Sequence, residues 1–236
     1  LSKLNAFSEK SKPRKRKFVY MVMAPPQPTR IVRLIHIANL PLLLQRGGLH
    51  APNHTPNDGL SYRTIHNLEI QSQRRVRMIP CGPGGAIHDY VPFYFGERSP
   101  MLYQLHTGRV PGYTEGQAPL IYLVSTAQRV QQQQLPFVFS DGHGIAAFTS
   151  WFADLHDLNQ VDWTVVNATY WRDTVDDMDR QRRKQAEFLV HRFCPWSALL
   201  GIAVYDEQRQ TAVEAILQQF PATSGFAVKV RRDWYY

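Results

Sequence analysis

RRKQAEFLVHRFCPW, Arg182–Trp196, changes character at Glu187. Before it the chain is charged; after it come Phe188, Leu189 and Val190, an apolar run too short for a helix, which predicts a strand over Glu187–Phe193. A carboxylate opening such a strand is partly desolvated. That costs free energy unless a cation or a ligand hydroxyl satisfies it. Two readings follow with equal weight: a salt bridge to Arg182, Arg183 or Arg192, or a catalytic carboxylate.

Working outward, Asp173–Arg183 is charged and poor in apolar residues, which predicts an exposed turn or loop feeding this strand. Downstream, Ile202–Tyr205 and Phe226–Val230 read as strands around a helix near Thr211–Phe220. Upstream, Ile145, Phe148, Phe152 and Leu155 recur at spacings near three and four, which predicts an amphipathic helix packed on a sheet. Leu120–Val124 and Phe137–Phe139 read as central strands, separated by a helical turn containing Gln131–Gln134. Cys81–Gly85 is a turn. Tyr90–Phe95 (YVPFYF) suits a buried strand whose Pro92 argues for an edge or a bulge. Ser99-Pro100 starts a helix over Met101–His106.

Ile31–Ile37 is β-branched and predicts the first strand, followed by a helix capped by Asn39, with Pro41 in its first turn, and ended by Gly47-Gly48. Ala51–Gly59 reads as loop, and Ser61–Gln73 has no clean period. Residues 1–28 combine a basic run (Lys10, Lys12, Arg14, Lys15, Arg16, Lys17) with Pro25, Pro26 and Pro28, and are expected to be a flexible lead-in, with Met21 or Met23 a candidate natural start. Residues 29–236 are then one α+β domain around a mainly antiparallel sheet.

The chain has 236 residues, 44% of them hydrophobic, enough for one core. No apolar run approaches the roughly 20 residues of a spanning helix, and the start is too charged for a secretory signal, so a soluble, cytoplasmic protein is expected. Cys81 and Cys194 form no CxxC or Cys/His pattern. The 27 Lys+Arg against 19 Asp+Glu give a charge of +8, which favours anionic partners: nucleic acid, a dinucleotide or an acidic surface.

Several blocks together resemble one family: RLIHIANLPLLL (Arg33–Leu44), QRR (Gln73–Arg75), GPGGAIHDYVPFYFGERSPMLYQLH (Gly82–His106), FVFSDGHG (Phe137–Gly144), RRKQAEFLVHRFCPW and the terminal VRRDWYY. They resemble the DarT family, bacterial toxins that ADP-ribosylate single-stranded DNA and so block replication. The resemblance implies the ADP-ribosyltransferase fold, a split and mainly antiparallel sheet clasping NAD⁺ as co-substrate, without a metal. It implies a thymidine ring nitrogen as acceptor, in a short sequence context, and a macrodomain antitoxin, DarG, as partner.

By the same resemblance Glu187 is the catalytic glutamate, where a fixed negative charge opposes the positive charge that develops on the ribose as nicotinamide departs. Arg74 stands beside the reacting ribose and phosphates, with Arg75 one residue away as the second candidate. His36 and Asn39 are placed against NAD⁺, Tyr94 in the nicotinamide pocket, and Met101, with Arg98 and Ser99 near it, in the second NAD⁺-contacting element. His143 is placed near the DNA or transfer site. In the charged segment before Glu187, Arg180, Arg182 and Arg183 are candidates to track a phosphate backbone, and Tyr170 or Trp171 to stack on a base.

Other constellations are weaker. Ser140, Asp141 and His143 lie too close in one loop, without a GxSxG elbow, for a hydrolase triad. His50, His54 and His66 lack acidic or cysteine partners at metal-binding spacing. CGPGG has no lysine to complete a phosphate loop. The competing functions are transfer to RNA or protein by the same fold, and a non-enzymatic single-stranded DNA-binding module.

Overall fold

Ile31, Val32, Leu34 and Ile35 are all buried, so both faces of β1 (Arg30–His36) are covered and its run of branched residues is explained. In the computed structural model, which describes residues 23–223 and 225–236, the other strands are β2 (Gly48–His50), β3 (Tyr90–Tyr94), β4 (Leu120–Thr126), β5 (Phe137–Ser140), β6 (Trp151–Phe152), β7 (Glu187–His191), β8 (Phe193–Pro195), β9 (Gly201–Val204) and β10 (Ala227–Val230). Eight of them form one sheet in the order β10-β9-β4-β1-β3-β7-β5-β6; β2 and β8 pair separately. Only β9 and β10 run parallel. The helices are α1 (Leu40–Gln45), α2 (Leu68–Val76), α3 (Pro100–His106), α4 (Ala127–Gln132), α5 (Trp163–Val166), α6 (Arg180–Lys184) and α7 (Glu207–Leu217). The mixed, mainly antiparallel architecture is the one expected.

The sheet is split in its middle. β1 pairs with β4 along its whole length, and β3 with β7 likewise, but β1 and β3 meet at one pair, Val32 and Tyr94. Pro92 therefore sits in an interior strand, not at an edge or a bulge. The missing N–H is tolerated because β1 has separated from β3 there, and the gap is bridged by a side chain: Arg33 Nη1 donates to the Pro92 carbonyl at 2.8 Å.

Three other expectations change. The strand from Glu187 stops at His191, because Arg192 adopts a left-handed φ of 60° and redirects the chain into β8. Ile145–Leu155 is no helix: Phe148 is 70% exposed, Trp151–Phe152 is strand, and a 3₁₀ segment starts at Leu155. Local side-chain bonds hold that loop instead, from Ser140 Oγ to the Gly142 carbonyl, Thr149 Oγ1 to the His143 carbonyl, and Ser150 N–H to Asp141. Within Ser61–Gln73 a helix does begin, α2, capped by Asn67. It has no hydrophobic period because Leu68 and Val76 are more than 70% exposed while the residue it buries is Arg74.

Residues 1–22 of the expected lead-in lie outside the described residues. Its remaining part is tied to α4 where Gln128 donates to Gln27 Oε1, next to the bond that Gln128 accepts from Thr29 N–H at the start of the domain. Among the described residues no helix is long and apolar enough to cross a membrane.

Candidate active site

The split in the sheet opens a cavity of about 540 Å³, within the usual size of a small-molecule site. Its polar floor comes from three elements. Arg74, on the last turn of α2, is 7% exposed and faces Glu187, the first residue of β7. The guanidinium fork donates through Nη1 to Oε1 at 2.9 Å and through Nη2 to Oε2 at 2.7 Å. Gly144 N–H donates to Oε1 at 3.1 Å. Two carboxylate oxygens offer about four acceptor positions. Three are filled, which leaves one on Oε2 for a ligand hydroxyl.

Burial by itself would raise the Glu187 pKa, but the Arg74 charge and its hydrogen bonds, with smaller help from His143 and Gly144 N–H, hold it below the ordinary carboxylate value. Glu187 is thus an anion at neutral pH. Burial lowers the pKa of His143, with Glu187 opposing and Arg74 adding to the shift, so its ring is neutral beside the carboxylate. Gly144 is closely packed there: a Cβ would stand 3.0 Å from Ile87 Cδ1, 3.2 Å from the Trp151 ring and 3.3 Å from Glu187 Oε1, so a side chain would require those neighbours to shift by a few tenths of an ångström. Tyr94 is the partner of Glu187 across the β3–β7 ladder. Its hydroxyl donates to Met101 Sδ at 3.7 Å, and burial together with the nearby carboxylate pushes its pKa up to about 12.

Glu187, Arg74, Tyr94, Met101, Asn39 and His143 thus line one cavity. Arg75 and His36 do not. Arg75 is exposed, turned away by the helix that buries its neighbour. His36 is buried at the end of β1, where Nδ1 accepts from Ala38 N–H and Nε2 faces Glu115 at 3.4 Å. Asn39 does not cap α1 with its side chain. It pairs with the main chain of Arg63 in both directions, donating to the carbonyl at 2.9 Å and accepting from the N–H at 2.7 Å. This pins the segment 55–67 over the cavity, helped by Arg46 bonded to Asp58 and Arg63 paired with Glu115.

The segment before β7 behaves differently from a row of free cations. Arg182 is held by Asp141 and Asp179, and Arg183 by Asp162 and Asp177; Arg180 donates to the Tyr170 carbonyl. The charges of Arg182 and Arg183 are thus compensated within the loop, while Arg180, with Asp177 at 3.8 Å, is less tightly held. Trp171 is buried, donates to the Tyr236 hydroxyl at 2.7 Å, and has no free face for a base. Tyr170 is exposed. Arg98 lies outside the cavity, in a smaller one, and Ser99 caps α3.

Arg33, absent from the candidates drawn from sequence, is a cavity residue of a kind the others are not. Arg63 and Arg74 have carboxylate partners; Arg33 has none among the described residues, and its Nε is buried without a hydrogen bond. Burial and the neighbouring Arg74 charge lower its pKa to about 10, still cationic. A half-buried guanidinium with no carboxylate partner among the described residues, in a cavity of this size, fits a diphosphate. Among the described residues no group of three His, Cys, Asp or Glu side chains is arranged to hold a metal ion.

A family model described as ssDNA thymidine ADP-ribosyltransferase, DarT, matches residues 32–236. The chain belongs to the DarT family. Among its relatives is a DNA ADP-ribosyl transferase of Thermus sp. strain 2.9, 43% identical over 211 residues, covering 89% of this chain and 98% of the relative. Another is the enzyme of that name from Escherichia coli O127:H6, 36% identical over 217 residues, covering 92% and 98%. Among solved structures, Thermus sp. 2.9 DarT in complex with ADP-ribosylated single-stranded DNA superposes with a TM-score of 0.86 at 42% identity, over 92% of this chain and 100% of that one. The same protein in complex with NAD⁺ gives 0.81 at 41%, over 90% and 100%. This chain is accordingly an NAD⁺-dependent DNA ADP-ribosyltransferase.

Proposed function

We propose that the chain transfers ADP-ribose from NAD⁺ to a ring nitrogen of thymidine in single-stranded DNA, within a short sequence context. The observation that carries the reading is the buried Arg74–Glu187 pair on the floor of a cavity whose one uncompensated arginine, among the described residues, is Arg33.

In this reading Arg33 holds the diphosphate and the free acceptor position on Glu187 Oε2 takes a ribose hydroxyl. The bond from the ribose C1′ to nicotinamide breaks and nicotinamide leaves with the electron pair. The Glu187 charge, fixed by Arg74 and Gly144 N–H before reaction, opposes the positive charge spread over C1′ and the ring oxygen; preorganised charge of this kind needs no reorganisation during the step. The thymidine nitrogen then bonds to C1′ and its proton passes to the His143–Glu187 pair. Because Glu187 is held in its ionised form, neutral His143 supplies the basicity and Glu187 the charge. Tyr94 and Met101 pack the nicotinamide side. Tyr170 is the exposed ring available for a flanking base.

Family membership alone supports two further parts of the proposal: action as a toxin in the bacterial cytoplasm, and a macrodomain antitoxin of the DarG kind that removes the mark. The test of the acceptor is direct. Purified protein is incubated with NAD⁺ and equal amounts of thymidine-bearing DNA, thymidine-free DNA, RNA and bulk protein, and each is read by mass. Modification confined to thymidine-bearing DNA supports the proposal; label on RNA or protein reassigns the acceptor, and DNA binding without nicotinamide release reduces the chain to a binding module.

A further inference from the structure

Helix α6 is a wall between two cavities. Gln181 and Gln185, at and just beyond its ends, line the large one; Lys184 lines a second, of about 190 Å³. That second cavity is enclosed by Arg30, by Glu97 and Arg98, by the segment 166–169 and by the stretch from Arg231 to Trp234. The close approach of two of these walls depends on Gly96, where a Cβ would come within 2.7 Å of the Val166 carbonyl oxygen.

Its charges do not cancel. Arg30 pairs with Glu97, and Arg231 with Asp233 at 2.7 Å. Arg98 and Lys184 are left over. Arg98 forms no ion pair among the described residues and its Nε is buried without a partner. Lys184, 4% exposed, donates to the carbonyls of Val166 at 2.6 Å and Ala168 at 2.9 Å, and its third proton has no acceptor among the described residues. Burial brings its pKa down to about 8, with Glu97 opposing and Arg98 adding, so it remains mainly cationic at neutral pH. A desolvated ammonium beside a half-buried guanidinium with no carboxylate partner among the described residues is costly unless a ligand supplies the counter-charge. A planar fork beside an ammonium suits a tetrahedral oxyanion.

We infer that this pocket binds a phosphate group, supplied by the backbone of the DNA strand whose acceptor base occupies the neighbouring cavity. The phosphate chemistry stands on the pocket itself. The DNA as its source rests on the acceptor proposed above and on the shared wall, since a strand entering over residues 170–185 passes within the width of one short helix of Arg98 and Lys184. This also supplies the phosphate contact that Arg182 and Arg183, occupied by carboxylates, do not offer.

Two variants test it without touching the large cavity. Arg98→Gln removes the unpaired charge, and Asn167→Asp places a carboxylate at an exposed lining position. Among the described residues neither side chain makes a hydrogen bond or ion pair that the substitution would remove. Lys229→Gln, an exposed charge on β10, is the control. In the first arm, binding of a labelled single-stranded oligonucleotide is measured across a salt series. Loss of one phosphate contact lowers the slope of log affinity against log salt by about 0.7, expected in both variants and not in the control. In the second arm, inorganic phosphate is added at constant ionic strength and the melting temperature is read; the wild type rises and the two variants do not.

A lowered slope supports the DNA assignment. A phosphate response with an unchanged slope overturns that source and leaves free phosphate. Variants that match the wild type in both arms overturn the site. If the wild type modifies no DNA, the acceptor reading has failed instead, and the phosphate arm still decides the pocket.

Discussion

Replacing Arg74 by Gln leaves Glu187 buried with one hydrogen bond, from Gly144 N–H, in place of three. Replacing Glu187 by Gln leaves the guanidinium buried and uncompensated. Breaking a buried pair from one side costs about 3–5 kcal/mol, because the remaining charge is stranded in a low dielectric. Against a total stability of roughly 5–15 kcal/mol this is a large fraction. For a domain of this size each kcal/mol lowers the melting temperature by roughly 2–4 °C, so each single variant is expected to lose roughly 6–20 °C. The double variant Arg74→Gln/Glu187→Gln strands no charge and keeps two amides that can bond to each other. It should recover about 2–3 kcal/mol relative to the sum of the singles. Urea unfolding followed by tryptophan fluorescence measures all four proteins. All three variants should lose about 100- to 1000-fold in nicotinamide release, since in the proposed mechanism the Glu187 charge or its holder is gone in each. Singles that cost under about 1 kcal/mol and simply add would refute a desolvated pair, whatever their activity.

Three further outcomes are expected. Arg33→Gln removes a charge-assisted contact worth roughly 1.5–3 kcal/mol, so the KM for NAD⁺ should rise about 10- to 100-fold with kcat nearly unchanged; an unchanged KM removes Arg33 from the site. Asn39→Ala unpins the segment 55–67 from above the cavity, which should appear as faster hydrogen exchange of Arg63 and its neighbours and a raised KM; exchange equal to wild type rejects the latch. The pH profile has two acid limbs. His143 is neutral above its lowered pKa, so activity should fall only below about pH 6.5, its ordinary value. Glu187 has a depressed folded-state pKa, so the stability from its pairing is complete above the unfolded value of about 4.3 and is lost as pH falls through the folded one. Activity lost well above pH 6.5 with the fold intact would speak against the neutral histidine.

The strands were legible because their residues are buried on one face or both, and a short branched run in this chain has few other uses. β1, β4 and β9 follow directly. The same logic failed wherever burial was polar. α2 carries no hydrophobic period because what it buries is Arg74, and in the loop after β5 four apolar residues fall at helical spacing although Phe148 faces solvent. Glu187 could be singled out by its place at the head of an apolar strand, but sequence left a salt bridge and a catalytic role as alternatives. The fold shows the salt bridge, with the cation arriving from α2, 113 residues away, and not from Arg182, Arg183 or Arg192, and that pairing leaves room for the catalytic role proposed above. Arg33 opens a block that resembles the family but carries no role in that resemblance; only the separation of β1 from β3 turns it into an unpaired charge in a cavity. Conversely, the arginines before β7 looked free until the aspartates around them were folded into place.

The most direct test of Glu187 as the group that drives transfer is the mass of a thymidine-bearing oligonucleotide after incubation with NAD⁺ and either wild type or Glu187→Gln, with nicotinamide release read in the same tube. The wild type should add one ADP-ribose to a thymidine and release one nicotinamide for each addition; Glu187→Gln, compared under conditions where it remains folded, should do neither. An oligonucleotide still carrying ADP-ribose after incubation with the folded variant would contradict the account.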